Sequence, residues 1–326
     1  MRTLVAAAAL IGILTTPVYA EDCKPLQRYG RLAFEPDNNA HIILPVSIAG
    51  FSAKMMLDTG AHWGLLREDL VAQLNLKIRT NYNLNLIDAS GKKIDKSVIV
   101  PDFKMGQLSF GAAEFFVSGL YTDRPMTERA GVVGQNLFTQ ADLEVDNAGK
   151  LIALYSQDHC DGEGVHWADE AVILEYKRDN EKRMNNASRT RRTIDKNQID
   201  EPIVSATLQG EPVTVLFDTG ASFTSIDWEH ARKVFKLTPE TPGVEPAGSV
   251  IVATGATVQT YQYTFKELVI SGIKFENVPA LLGDFGKSAQ VILGMNEMKK
   301  LHIYFAFKEG RIYVTDANAG KGVAPH

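Results

Sequence analysis

Apolar positions in this chain come in short bursts divided by turn signals, and the bursts repeat. Residues 42–48 are apolar and rich in β-branched side chains, Gly50 marks a turn, and residues 54–57 form a second short run, apolar from Met55 to Leu57. That pattern predicts two short strands, the second running into a tight turn at residues 58–61. The stretch 205–226 lies on 45–66 at a constant offset of 160 residues with no gap. Gly50 falls on Gly210, Asp58 on Asp218, Thr59 on Thr219, Gly60 on Gly220 and Ala61 on Ala221. At the same offset Val132, Val133, Gly134 and Asn136 fall on Ile292, Leu293, Gly294 and Asn296. Between these anchors Ala89, Ser90 and Gly91 correspond to Ala253, Thr254 and Gly255, and the opening strand at 32–35 resembles 173–176. Short strands with frequent turns are predicted over 81–117 and 250–282. Helical spacing is confined to 68–76 and 229–237, with a second short helix after Asn136 and after Asn296. A duplication on this scale sets the architecture. The prediction is an all-β chain with few short helices, in two similar lobes at 22–162 and 165–316, followed by a tail at 317–326.

The ends and one insertion modify that picture. Residues 1–20 have the pattern of a signal peptide: Arg2, an apolar run of eleven at 4–14, Pro17, and small residues Val18 and Ala20 before the cleavage point. The run is too short to cross a bilayer as a helix. Cys23 follows Asp22 and Glu21 rather than the small residues of a lipoprotein signal. The expectation is an exported chain without a membrane anchor after cleavage, with the bacterial periplasm favoured. The sequence holds 2 cysteines, and an oxidising compartment predicts that Cys23 and Cys160 pair. Where the first repeat has a short turn at 36–39, the second inserts a polar segment at 177–199, with eight basic and three acidic residues among 177–196. It reads as a mobile, solvated loop. Arg189, Arg191 and Arg192 leave open a processing site or a contact for an acidic partner.

Composition narrows the classes of function. With 326 residues, 45% hydrophobic and 22% charged, the chain is of ordinary globular type and long enough for two cores. A net charge of −5 gives no basic excess to attract nucleic acid. Neither a nucleotide-binding glycine loop nor a Gly-x-Ser-x-Gly elbow occurs. His159, Cys160, Asp161, Glu163 and His166 are metal-binding residue types, but their spacing fits no zinc pattern. No metal or other cofactor is expected.

The chemistry lies in the repeated turn. D-T-G-A occurs twice, each time after an apolar strand and at one fixed distance before an apolar-apolar-Gly-x-Asn segment. Two carboxylates brought together cannot both ionise cheaply, so they share a proton and titrate as a pair. One can then deprotonate a water attacking an amide carbonyl while the other polarises the carbonyl oxygen. Glycosidases also pair carboxylates, but not normally on two copies of one turn.

Residues 57–61 (L-D-T-G-A), 217–221 (F-D-T-G-A), 132–136 (V-V-G-Q-N) and 292–296 (I-L-G-M-N) resemble the motifs of retropepsin-like and pepsin-like aspartic peptidases. The resemblance covers nearly all of the chain beyond the leader. It implies two lobes about a pseudo-twofold axis, a monomer, a polypeptide substrate, and Asp58 and Asp218 as the catalytic pair. It further implies that Thr59 and Thr219 bond across the axis, that Gly60 and Gly220 admit close backbone approach, and that Gly134 and Gly294 close the loops. Residues Ala89, Ser90 and Gly91, and Ala253, Thr254 and Gly255, stand at the flap positions, which points to two flaps. Ala61 and Ala221 depart from the Ser or Thr of pepsin and match the retroviral type, which argues for action in milder acid. His62 and Trp63 either shape a pocket or pack. An inactive duplicated fold that binds peptides or scaffolds a periplasmic partner is the alternative, and intact Asp, Thr and Gly in both repeats weigh against it.

Overall fold

Each predicted hairpin places its branched apolar residues inward. In the computed structural model, which describes residues 23–80, 86–87, 93–119, 124–138, 141–176, 201–251, 257–285 and 289–319, the strand Ile42–Ile48 buries Ile42, Leu44, Val46 and Ile48 and pairs antiparallel with Phe51–Leu57. The second lobe repeats this with Ile203–Leu208 and Glu211–Phe217. The leader at 1–20, both flap triplets, the insertion at 177–199 and tail residues 320–326 lie outside the described residues.

The fold is all-β with few short helices, in two related lobes. The first is an eight-stranded sheet in which Ile42–Ile48 also pairs with Lys96–Met105, curling the sheet towards closure. The second is a seven-stranded sheet in which Ile203–Leu208 pairs with Thr257–Ile270 in the same way. A six-stranded sheet joins them, in the order Arg28–Ala33, Leu151–Tyr155, Asp142–Asp146, Leu301–Ala306, Arg311–Asp316, Val172–Glu175. Three strands come from each half, in mirrored order. Its two central strands pair across the lobe boundary, Leu143 opposite Phe305 and Val145 opposite Ile303. Leu301–Ala306 is buried at every position, as expected for a strand covered on both faces. Leu143, Ile303 and Phe305 belong to one apolar cluster that also holds Leu44 and Phe103 of the first lobe and Phe217 and Phe265 of the second.

Short strands were expected over 250–282, and the structure differs. Thr257–Ile270 and Ile273–Gly283 are 14 and 11 residues long. Ser271 and Gly272, with φ 45° and 95°, make the two-residue turn between them, the geometry that matches strand twist. Polar residues such as Gln262 and Thr264 look like punctuation in the sequence, yet they belong to a continuous ladder opposite Leu281 and Pro279. Among the described residues the helices are Glu68–Gln73, Trp228–Phe235 and Met295–Met298, with a 3-10 turn at Gln135–Phe138. Asp227 caps the longest of them by accepting from the backbone N–H groups of Glu229 and His230, and Lys236, at φ 58°, ends it. Cys23 and Cys160 form a disulfide with their Cα atoms 4.8 Å apart.

Candidate active site

The strands Phe51–Leu57 and Glu211–Phe217 each run parallel to a three-residue strand, Gly131–Val133 and Val291–Leu293 respectively, and deliver an aspartate at their ends. The N–H of Asp58 donates to the Val133 carbonyl at 3.0 Å, and that of Asp218 to the Leu293 carbonyl at 3.2 Å. Each turn then folds back on its own carboxylate: the Ala61 N–H donates to Asp58 Oδ1 at 2.8 Å, and the Gly220 N–H to Asp218 Oδ1 at 2.8 Å. The threonines lock the turns reciprocally. Thr59 Oγ1 donates to the Phe217 carbonyl at 2.7 Å and accepts the Thr219 N–H at 3.1 Å. Thr219 Oγ1 donates to the Leu57 carbonyl at 2.9 Å and accepts the Thr59 N–H at 3.0 Å.

This lock brings the two carboxyls into hydrogen-bond contact. Asp58 is buried and Asp218 partly exposed, and desolvation raises both above the ordinary aspartate range. Asp58 is pushed further by the negative charge of Asp218, while backbone N–H groups favour the ionised form of each. The two ionisations belong to the pair. Glycine at positions 60 and 220 follows from this contact. A Cβ on Gly60 would stand 2.6 and 2.7 Å from the two carboxylate oxygens of Asp218, and one on Gly220 would crowd Asp58 equally.

The apolar-apolar-Gly-x-Asn segments close the loops in matching ways. A Cβ on Gly134 would strike the backbone at Trp63 and Gly64, and one on Gly294 the backbone at Phe223 and Thr224. Asn136 Oδ1 accepts the Gly64 N–H and Asn296 Oδ1 the Thr224 N–H, both at 2.7 Å. Trp63 packs edge-on against Phe116 with ring centres 5.3 Å apart, so its ring belongs to an apolar cluster. The metal-type residues do not converge. His159 bonds Asp142 at 3.0 Å, Glu163 accepts the Leu26 N–H at 3.1 Å, His166 meets the Tyr155 hydroxyl at 3.2 Å, and Asp161 faces Arg311 at 3.4 Å.

Five polar residues near the turns escaped the sequence reading. The offset of 160 carries His41 onto Glu201 and His62 onto Ser222, but the residue types differ, so no identity marks them. In space these positions pair across the lobes. Ser222 Oγ lies 2.9 Å from His41 Nε2, with Asp37 and Arg129 behind the histidine, and Glu201 Oε1 lies 3.9 Å from His62 Nδ1. Burial pushes the Glu201 carboxyl up, His62 opposes this and the charge of Asp218 adds to it. Glu201 is therefore a third carboxyl that senses the dyad.

Both halves of the chain match models of known families. Residues 204–296 match a model described as "Aspartyl protease", and residues 44–140 one described as "gag-polyprotein putative aspartyl protease". A Sinorhizobium protein described as "Uncharacterized protein in cobV 5'region" is 29% identical over 103 residues, covering 30% of this chain and 41% of that protein's length. Among solved structures, the chain is similar to an aspartic proteinase from Irpex lacteus (TM-score 0.49, 11% identity, 91% of this chain and 99% of that one). It is also similar to basic 7S globulin from soybean (TM-score 0.47, 7% identity, 91% and 96%). A retropepsin-like aspartic protease from Rickettsia conorii aligns with 40% of this chain and 93% of its own (TM-score 0.29, 18% identity).

Proposed function

Since the chain belongs to the retropepsin-like and pepsin-like aspartyl protease family, with a family domain in each half, we propose that it is an endopeptidase using a water activated between Asp58 and Asp218. The observation that carries this reading is the pair of facing carboxyls on two turns locked by reciprocal threonine bonds, with both acidities weakened by desolvation. Asp218, as the ionised member, takes a proton from water as the water oxygen bonds to the amide carbon. Asp58 gives its proton to the carbonyl oxygen. The tetrahedral species then collapses as the C–N bond breaks and the amine leaves with a proton returned by the pair. Neither step requires a metal or a covalent intermediate.

One chain supplies both aspartates, which supports a monomer acting on an extended polypeptide. The Cys23–Cys160 disulfide and the signal-like residues 1–20 support export to an oxidising compartment such as a bacterial periplasm. Purified Asp58→Asn and Asp218→Asn are each expected to lose about 10²–10⁴-fold in peptide turnover with an unchanged circular dichroism spectrum. Near-normal turnover by either variant sinks the reading. A wild type that cleaves nothing in a broad peptide library yet binds members of it supports the binding-only alternative instead.

A further inference from the structure

Beside the second catalytic turn stands a set of groups that the peptidase chemistry does not use. Ser222 is partly exposed, and its Oγ lies 2.9 Å from His41 Nε2. The other ring nitrogen, Nδ1, lies 3.0 Å from Asp37 Oδ2. Asp37 is itself fixed by four donors. Its Oδ1 accepts the N–H groups of Asn39 at 2.9 Å and His41 at 3.0 Å, and its Oδ2 accepts from His41 and, at 2.7 Å, from the buried Arg129 guanidinium. Burial pushes the Asp37 carboxyl up, but the bonds from His41 and Arg129 outweigh it and hold the group below its ordinary range.

The proton positions follow from this connectivity. An ionised carboxylate only accepts, so Nδ1–H donates to Asp37; in the neutral ring the lone pair is then on Nε2, where it accepts the Ser222 O–H. A hydroxyl hydrogen-bonded to a base that is oriented by a third group is the signature of an activated nucleophile. It does not come from the duplication. The offset of 160 places Glu201, His62 and Ala289 opposite His41, Ser222 and Arg129, so the constellation exists in one orientation only. A hydroxyl serving only to latch the lobes could use any acceptor; here the acceptor is an imidazole oriented by a four-donor carboxylate.

We propose that Ser222 is a nucleophile activated by His41, with Asp37 and Arg129 as positioning residues, and that it gives the protein a second, acyl-transfer activity towards small activated carboxylic esters. In acylation the Oγ–C bond forms and the ester C–O bond breaks. The serine proton passes to Nε2 and on to the leaving alcohol. Water then hydrolyses the acyl-serine by the reverse proton path, releasing the acid. Phe223, the next residue along the chain and 51% exposed, is available to offer an aromatic face to the acyl or aryl group. Arg129 neutralises part of the field that would stabilise an imidazolium, so turnover is slow and covalent capture is the sensitive readout. The proposal is independent of the peptidase reading, because neither Asp58 nor Asp218 takes part.

The test is reaction of the folded full chain with an alkyl fluorophosphonate. The Oγ–P bond forms, the P–F bond breaks, and the serine proton leaves by way of His41 with the fluoride. Peptide mapping is expected to find a single adduct, on Ser222, and none on heat-denatured protein. His41→Gln is expected to slow phosphonylation at least tenfold. Absence of an adduct on Ser222, or labelling of folded His41→Gln as fast as wild type, overturns the proposal. Should His41→Gln fail to fold, the wild-type map decides: an adduct on Ser222 alone supports the proposal, and serines labelled indiscriminately or not at all refute it.

Discussion

Gly60 and Gly220 show how a residue in one repeat is chosen by its counterpart in the other. The atoms nearest to a Cβ at either position belong to the facing carboxylate. The same reciprocity governs acidity. Each carboxyl is bonded by backbone N–H groups of its own turn, and alanine at 61 and 221 adds no hydroxyl to hold it ionised in strong acid. Glu201 works in the opposite direction. Its negative charge beside Asp218 makes the last proton of the pair harder to remove, as Asp218 raises Glu201 in return. Glu201→Gln removes that repulsion, so the alkaline limb of the kcat/KM profile for peptide cleavage is expected to move to lower pH by about half a unit or more. A limb that stays in place would show that the charge of Glu201 is not felt at the dyad.

At the scale of elements, the six-stranded sheet carries a buried polar network on the face away from the main core. His159 and Asp142 are each 1% exposed and bonded at 3.0 Å, and His302 bonds Glu144 at 2.8 Å under the stacked ring of Trp167. The bond His159 donates to Asp142, opposed by burial and helped by the Cys160 carbonyl and the charges of Asp142 and Glu309, raises His159 to about 9. A histidine whose folded value lies above its unfolded one stabilises most below the unfolded value, roughly 6.5, and loses that contribution as pH rises through about 9. Unfolding free energy by urea titration is therefore expected to fall by about 1–3 kcal/mol between pH 6.5 and 9.5. His159→Gln should flatten that slope, and an equal slope in both proteins would exclude His159 as its source. Little of this sheet was legible beforehand. The hairpin at 42–57 and the turns at 58–61 and 218–221 announce themselves through local apolar runs and exact repetition. The pairing of Asp142–Asp146 with Leu301–Ala306 joins segments far apart in sequence, and polar residues such as Glu144, His302 and Tyr304 disguise strands that are buried. The Ser222–His41 contact, 181 residues apart, was hidden for the same reason, since the duplication preserved the places but not the residue types.

Over the whole molecule two kinds of cross-link act on different parts. The reciprocal threonine bonds fix one D-T-G-A turn to the other where the lobes meet. The disulfide ties the start of the described chain to the end of the first lobe, beside the edge strand Arg28–Ala33 of the shared sheet, and closes a loop with a sequence separation of 137. So long a loop constrains the unfolded chain strongly, and its closure contributes roughly 2–5 kcal/mol when the native geometry accommodates it. The exposed Lys24–Asp158 pair at 2.6 Å adds little, because such surface ion pairs are typically worth under about 1 kcal/mol. Replacing both cysteines by serine is therefore expected to lower the thermal midpoint by several degrees, at roughly 2–4 °C per kcal/mol for a chain of this size. Peptide turnover at 25 °C should remain within about twofold of wild type, because the threonine lock still holds the dyad. Calorimetry and kinetics on the same preparation check both halves. An unchanged midpoint removes the disulfide from the account of stability, while a collapse of turnover in a protein still folded at 25 °C would mean that the geometry of the dyad depends on the tethered edge of the shared sheet.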